Sequence, residues 1–319
     1  MRITICITTF RRAVGLRNLL TSLNQLSCAP GVSFKVIVVD NDSAESALSV
    51  VYEISPEMNY PIIYVLERNQ GITYARNAAL EHGLDEDAIA FLDDDEEADP
   101  EWLNEMVKTM KAYSADIVRG PILSNFSIPP DHWIVAGGFF DRHRPTNGTD
   151  LKEANTGNVC MRADMLRKTS VRFDHQFALS GGEDADFFRR LHVLGFKIVA
   201  SDAAIVHETV PTSRANARWI LLRSLRTANC EAYIRLKQSS SAVTRIGLLA
   251  FGCARIVKGS VATLAAPLFP RHVFIHNLQR IFRGIGACMA AVGLRYNEYK
   301  LAPLPEESAR EQSNGAVHA

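Results

Sequence analysis

Cysteine is sparse and unpaired. The six residues, Cys6, Cys28, Cys160, Cys230, Cys253 and Cys288, are scattered over 319 positions with no CxxC step and no zinc-type spacing. That excludes a zinc ribbon and a small disulfide scaffold, and the thiols are expected to be reduced, as in a cytoplasmic protein. The opening MRITICITTF lacks the apolar core of a secretory signal. No uncharged run reaches the ~18–20 residues of a spanning helix. No GxGxxG follows the first apolar run, which argues against a dinucleotide fold. CITTFRRAVG is not the glycine-rich phosphate loop expected of a sugar nucleotidyltransferase. Few Tyr or Phe interleave the basic residues in any regular way, so no nucleic-acid partner is expected.

What is present is a charge asymmetry inside a chain of zero net charge. Residues 1–218 hold 22 Lys and Arg against 30 Asp and Glu, whereas 219–300 hold 12 against 2. The basic part is also apolar, with IGLLAFGCA, SVATLAAPLF and IGACMAAVGL flanked by Arg245, Arg255, Lys258, Arg271, Arg280 and Arg283. Two readings follow: helices lying on an anionic inner-leaflet membrane surface, where each cation adds ~1 kcal/mol, or a helical subdomain packed on a sheet.

The first two hundred residues alternate strand and helix patterns. RITICIT, FKVIVVD, PIIYVLE, DAIAFLD, ADIVRGPI, TGNVCM, FKIVA and AAIVHE are predicted strands. Leu16, Leu19, Leu20 and Leu23 recur at helical spacing, TYARNAALEHG is a predicted helix closed by Gly83, and SGGEDADFFRRLHVLG a glycine-led one. A short helix is expected at 44–54, and Asp99-Pro100 is read as the N-cap and N1 of a helix over 100–112. This order predicts an α/β, doubly wound, mostly parallel sheet over 1–215, a basic apolar helical region over 216–300 and a disordered polar tail over 301–319. Ligands of such sheets bind at the carboxyl ends of strands. Two acidic clusters fall there, DND at 40–42 and DDD at 93–95.

Adjacent carboxylates repel, and burying one is costly unless it is paired. Asp93, Asp94 and Asp95 therefore suit a hard cation, Mg²⁺ or Mn²⁺, which takes carboxylate oxygens together with substrate phosphates. The plainer alternative is a solvated acidic turn before a helix, which fits Glu96, Glu97 and Asp99 well. In GGEDADFF, Asp184 shares one helical face with Phe187, Phe188 and Leu191. That carries its carboxylate toward the core side at the helix N-terminus.

The ordered motifs ITICITTFRR, VIVVDNDS, ERNQGITYARNAAL, AFLDDDEEADPEWL, GNVCMRADML and GGEDADFFRRL resemble family 2 glycosyltransferases of the GT-A fold, closest to bacterial succinoglycan and exopolysaccharide glucosyltransferases. The likeness covers about residues 1–210. It implies that Thr8, Asn69 and Gly71 line the nucleotide, that Asp40 accepts from the uracil N–H, and that Arg76 meets the diphosphate or braces the acidic loop. Asp94 would hold the ribose and Asp95 the metal of a DXD motif, with Asp93 a candidate should the register shift. Asp184 would be the general base, Glu183 a second candidate, and His207 a further metal or diphosphate ligand. Asp40 as an Asx turn, Arg76 as a surface arginine and His207 as a structural residue are the alternatives. Arg218-Trp219 matches the end of the QxxRW motif of processive relatives, but Ala215 replaces its Gln, which implies single-sugar addition; Arg214 and Arg218 are candidates for a phosphate. The implied activity is inverting, metal-dependent transfer of a sugar, glucose for preference, from a UDP-sugar to a polyprenyl-diphosphate-linked acceptor at the cytoplasmic face of the inner membrane. A non-catalytic nucleotide-sugar-binding scaffold on the membrane and a sugar nucleotidyltransferase are the competing classes.

Overall fold

The computed structural model describes residues 1–264 and 270–298, so the 301–319 tail lies outside the described residues. In chain order the elements are β1 (Arg2–Thr9), α1 (Ala13–Leu23), β2 (Ser33–Asp40), α2 (Leu48–Ile54), β3 (Ile62–Leu66), α3 (Ile72–Gly83), β4 (Ala88–Asp93), β5 (Glu96–Ala98), α4 (Trp102–Ala112), β6 (Ile117–Arg119), β7 (Ile122–Phe126), α5 (His132–Ala136), β8 (Asp150–Leu151), β9 (Asn158–Arg162), α6 (Ala163–Lys168), α7 (Glu183–Val193), β10 (Ile198–Ala200), β11 (Val206–Val210), α8 (Ala217–Gln238), α9 (Ala242–Leu264) and α10 (Arg271–Ala291).

Eight strands form the main sheet in the order β3-β2-β1-β4-β9-β6-β10-β8. It is parallel except for β9 and β8. Alternate residues of the central strands go to opposite faces, the two-residue period of a pleated strand. Ile3, Ile5 and Ile7 pack on one side with Leu16, Leu19, Leu20 and Leu23 of α1 and Trp102 of α4. Cys6, Ile37, Val39 and Phe91 pack on the other with Ala75, Ala79 and Leu80 of α3 and with Phe187, Phe188 and Leu191 of α7. Burial on both faces is why these strands read as continuous apolar runs. Register then sets the functional edge: Thr9 pairs with Asp40, and Thr8 with Asp93.

Several local expectations are corrected. ADIVRGPI is two strands, not one. The chain leaves the main sheet at Gly120-Pro121 and enters a second, three-stranded sheet ordered β5-β11-β7, which also takes the AAIVHE strand. Asn158 pins the two sheets together: its side chain is fully buried, donates to the carbonyls of Pro121 and Ala204 at 2.8 Å each, and accepts from Trp102 Nε1 at 2.8 Å. Asp99 does not cap α4. The helix begins at Trp102 after Glu101, and the Asp99 carboxylate lies instead 2.9 Å from His207 Nε2.

The C-terminal helices are not a loose appendage. Ile220 of α8 and Ile275 of α10 share a buried cluster with Trp133 and Ile134 of α5, Phe140 and Val210. α9 differs. It leaves Val243, Ile246, Val257, Val261 and Leu264 well exposed. Although it carries Arg255 and Lys258, it is long and apolar enough to cross a membrane by length and composition, and 17% of its most apolar stretch is buried. The expectation that no uncharged run reaches this length stands, because Arg245, Arg255 and Lys258 interrupt the helix.

Candidate active site

The acidic turn is built from β4 outward. β4 ends at Asp93, and Glu96 folds back so that its Oε2 accepts from the Asp93 N–H at 2.9 Å. This turns the three aspartates toward different partners. Asp93 Oδ1 is 3.2 Å from Arg76, Asp94 accepts from Thr9 Oγ1 and Arg12 at 2.8 Å each, and Asp95 accepts from Arg12 at 2.9 Å and Arg214 at 3.1 Å. Three arginines from separate segments therefore offset a charge cluster that would otherwise repel itself. Gly15 lets α1 approach: a Cβ there would lie 2.3 Å from the Asp94 carbonyl oxygen. Burial still dominates the acid equilibria. It raises Asp94 to about 6 despite Arg12, and it holds Glu96 well above the usual carboxylate range with Asp93 adding repulsion. Asp93, low in the cleft although 41% of its side chain is open, is raised as well.

Opposite the turn stands the start of α7. Gly182 precedes it in the left-handed region, at φ 88°. Glu183 is buried, and one of its oxygens is taken by Arg76, which also reaches Asp93. Burial lifts Glu183 to about 7, against the pull of Arg76 and helped by Asp184. Asp184 is half-buried and lines the cleft, while Phe187, Phe188 and Leu191 behind it are fully buried. The helical-face reading thus holds for the core residues and brings Asp184 to the cleft rather than into the core.

A single cleft of about 770 Å³ collects most of the expected residues: Thr8, Gly71, Arg76, Asp93, Asp94, Asp95, Glu183, Asp184 and Arg214. Four others stand elsewhere. Asp40 is fully buried, with one oxygen accepting from Asp42 N at 3.0 Å and the other from Ala47 N at 2.7 Å and Tyr64 Oη at 3.1 Å. It shapes the 41–47 loop, as the Asx-turn alternative has it, and does not line the cleft. Asn69 is exposed and bonded to Glu67. His207 alternates with Glu208 along β11, so Glu208 faces the cleft while His207 turns to Asp99. Arg218 is exposed at the start of α8, outside the cleft.

Other cleft residues escaped the sequence reading. Asn41 donates to the carbonyls of Glu67 at 3.0 Å and Asn69 at 2.8 Å and accepts from Gly71 N at 2.8 Å, so it sets the loop that Asn69 was expected to serve. Gly71 sits at φ 141°, and a Cβ there would meet Ala178 at 2.8 Å. Arg12, Arg142, Glu208 and a face of α8 complete the walls. Arg12 had a signal in the basic pair that follows the first strand. The α8 face had one in its helical spacing, which the membrane reading absorbed.

Among the described residues no group of three or more His, Cys, Asp and Glu side chains is gathered around one point as a metal cage. The donor set is nonetheless of the right chemistry. Asp93 and Asp95 present carboxylate oxygens toward the cleft, as a hard cation that keeps waters and substrate phosphates requires.

Sequence comparison decides the family. The profile of "Glycosyl transferase family 2" matches residues 4–171, more than half of the chain. The chain belongs to glycosyl transferase family 2. Within it, the chain is 32% identical over 270 residues to the succinoglycan biosynthesis protein ExoM of Rhizobium meliloti, covering 85% of this chain and 86% of that one. It is 24% identical over 217 residues to the glycosyltransferase AglE of Haloferax volcanii, covering 66% and 67%. The fold is similar to that of S. aureus TarS 1–349 in complex with UDP, with TM-score 0.52, 16% identity and 95% of each chain covered. It is also similar to that of the mannosyltransferase PcManGT from Pyrobaculum calidifontis in complex with GDP-Man and Mn²⁺, with TM-score 0.55, 14% identity and coverage of 99% and 79%. The protein is therefore a GT-A glycosyltransferase similar to a succinoglycan biosynthesis protein.

Proposed function

We propose that this family 2 enzyme transfers glucose from UDP-glucose, with inversion, to a sugar hydroxyl on a polyprenyl-diphosphate-linked oligosaccharide during surface polysaccharide synthesis. The observation that carries the reading is the shared cleft: Asp184 at the start of α7 faces the Asp93–Asp95 turn, with Thr8, Asn41 and Gly71 beside it for the nucleotide. The succinoglycan relative supports the pathway class, and the UDP-bound neighbour supports the donor.

Asp184 takes the proton from the acceptor hydroxyl as its oxygen bonds to the sugar C1 and the C1–O bond to the UDP leaving group breaks. Attack opposite the leaving group inverts that carbon. Glu183 is less suited to this role because Arg76 holds it and protein covers it. Arg76 instead ties the base-bearing helix to the acidic turn. Asp93 or Asp95 would hold a Mg²⁺ or Mn²⁺, which would supply charge neutralisation to the departing diphosphate. Arg12 and Arg214 keep those carboxylates oriented.

The test is UDP release from UDP-glucose in the presence of a lipid-linked acceptor, with donor affinity measured alongside. Asp184→Asn is expected to lower transfer by about 100-fold or more, the usual contribution of a general base, while UDP affinity stays near that of the parent. A variant that transfers at the parent rate while Glu183→Gln is inactive would assign the base to Glu183.

A further inference from the structure

The cleft runs along one helix past the acidic turn. Trp219, Arg223, Arg226, Cys230 and Ile234 line it from α8, at the three- and four-residue spacing of a single helical face. The stripe covers about four turns, a rise of about 22 Å. Its two ends meet different parts of the site. The Arg214 guanidinium lies 6.0 Å over the Trp219 ring and pairs with Asp95, so this end adjoins the acidic turn. Cys230 and Ile234 pack on Gly182, where a Cβ would meet them at 2.9 and 3.9 Å, and Asp184 follows two residues later. The second half of the stripe therefore borders the base.

The chain beyond α10 completes that half. Gly293, at φ 89°, turns it back across α8. The Leu294 carbonyl accepts from the buried Asn229 amide at 3.0 Å, and Tyr296 N donates to Asn229 Oδ1 at 2.9 Å. Arg295 lies 4.4 Å over the Tyr233 ring and 5.6 Å over that of Phe177. Glu298 then enters the cleft, 2.9 Å from Arg226. Glu231, on the same wall, is 3.3 Å from Arg283. The lip beside the base is thus built of charges matched in sign, and it is open, with 33% of the Glu298 side chain and 48% of the Glu231 side chain exposed. Matched pairs exert little net pull on an anion. Their carboxylate oxygens accept and their guanidinium N–H groups donate, which suits hydroxyls, each a donor and an acceptor at once. Cys230 and Ile234 add an apolar surface for the C–H face of a sugar ring.

We propose that the second half of the α8 stripe and the strap at 293–298 form a subsite for uncharged sugar units of the acceptor, with Glu298 and Glu231 binding their hydroxyls. The inference rests on the functional reading above, in which the acceptor's reacting sugar stands beside Asp184. It assigns acceptor selection to residues outside the 4–171 span of the family profile.

The experiment measures binding of cellotetraose, an uncharged β-linked glucan, to the full chain by ligand-observed NMR in Mg²⁺ buffer, with and without UDP. UDP affinity is measured separately by calorimetry, and thermal melts control for folding. Glu298→Ala is expected to weaken cellotetraose about tenfold, the scale of losing a charge-assisted hydrogen bond, with UDP affinity and the melt essentially unchanged. Glu298→Gln, which keeps an acceptor oxygen, should fall between the two. If Glu298→Ala melts well below the parent, Glu231→Ala carries the same expectation. The β-linked tetraglucuronate of equal length should bind the parent more weakly than cellotetraose, and tighter binding would overturn the assignment to uncharged sugars. Weakened UDP with unchanged cellotetraose moves Glu298 to the donor side and overturns the acceptor assignment. Unchanged binding of both, or a parent that binds no cellotetraose, overturns the subsite itself. A parent that binds cellotetraose but not UDP overturns the functional reading and leaves the subsite standing.

Discussion

Asp40 and Asn41 show how much of a strand-end motif is spent on shaping its own loop. Both stand at the end of β2, where the sequence pattern puts a ligand site, and they divide the work between them. Asp40 spends both oxygens on its own loop, and Asn41 sets the Gly71 turn that lines the cleft. A short carboxylate at a strand end fits a turn and a ligand equally well, so only the backbone path separates the two. Glu183 allows a test at the same scale. Its ordinary pKa is 4.5 and burial raises it to about 7. Between these values the folded chain holds a proton that the unfolded chain has released. Stability is therefore greatest below about pH 4.5 with respect to this group and is lost as pH rises toward 7. Arg76, Asp93 and Asp184 face it, and burial raises Asp93, Asp94 and Glu96 in the same direction. Melting curves of the parent and Glu183→Gln between pH 5 and 7.5 isolate its share, because the other groups are common to both. The parent's Tm should fall relative to the variant's as pH rises. A constant difference would show that Glu183 is ionised throughout.

At the scale of elements, α9 packs on α10 along one face, where Gly252 lies against Gly284 and Cys288 and Gly259 against Asn277 and Ile281, and leaves its other face open. Val243, Ile246, Val257, Val261 and Leu264 are exposed along it, and Arg245, Arg255 and Lys258 interrupt them. Apolar residues with flanking cations are the composition of a helix at an anionic lipid surface. The protein should sediment with phosphatidylglycerol-containing vesicles at low salt, less so at high salt, where the Debye length shrinks to a few ångströms. Arg255→Glu with Lys258→Glu should reduce this binding strongly without altering the melt. Equal sedimentation with neutral vesicles, or none at low salt, would leave α9 without a membrane role. The helices were legible from their apolar spacing and the central parallel strands from their continuous apolar runs. The small sheet was not, because β5, β7 and β11 are three to five residues long. Segments that short carry too few alternations to distinguish a strand from a loop, and Gly120-Pro121 looked like punctuation inside one strand rather than a passage between two sheets.

At the scale of the molecule, the change of composition near residue 216 marks a change of secondary structure, not the edge of an independent unit. Charge and hydropathy register what a segment is made of. They do not register that α8 lends one face to the cleft and another to the core. Asn229 makes the second attachment plain: its amide donates to the carbonyls of Gly286 and Leu294 at 3.0 Å each, and its oxygen accepts from Tyr296 N at 2.9 Å, tying α8 to α10 and the chain beyond it. Ile220 and Ile275 cover Trp133, Ile134, Phe140 and Val210. Ending the chain at residue 215 would uncover those four side chains, at a cost of about 1.5–3 kcal/mol for each large apolar group returned to water. That is a large fraction of the stability of an ordinary domain. It would also remove Trp219, Arg223 and Cys230 from the wall that holds the α7 start in place. The fragment 1–215 is therefore expected to aggregate or to melt far below the parent, whereas the fragment 1–298, which keeps α8 to α10, should melt close to it. Size-exclusion profiles and thermal melts of the two fragments decide the matter. A monodisperse 1–215 fragment melting within a few degrees of the full chain would restore the boundary at 215 and reduce α8 to a cover over a site complete without it.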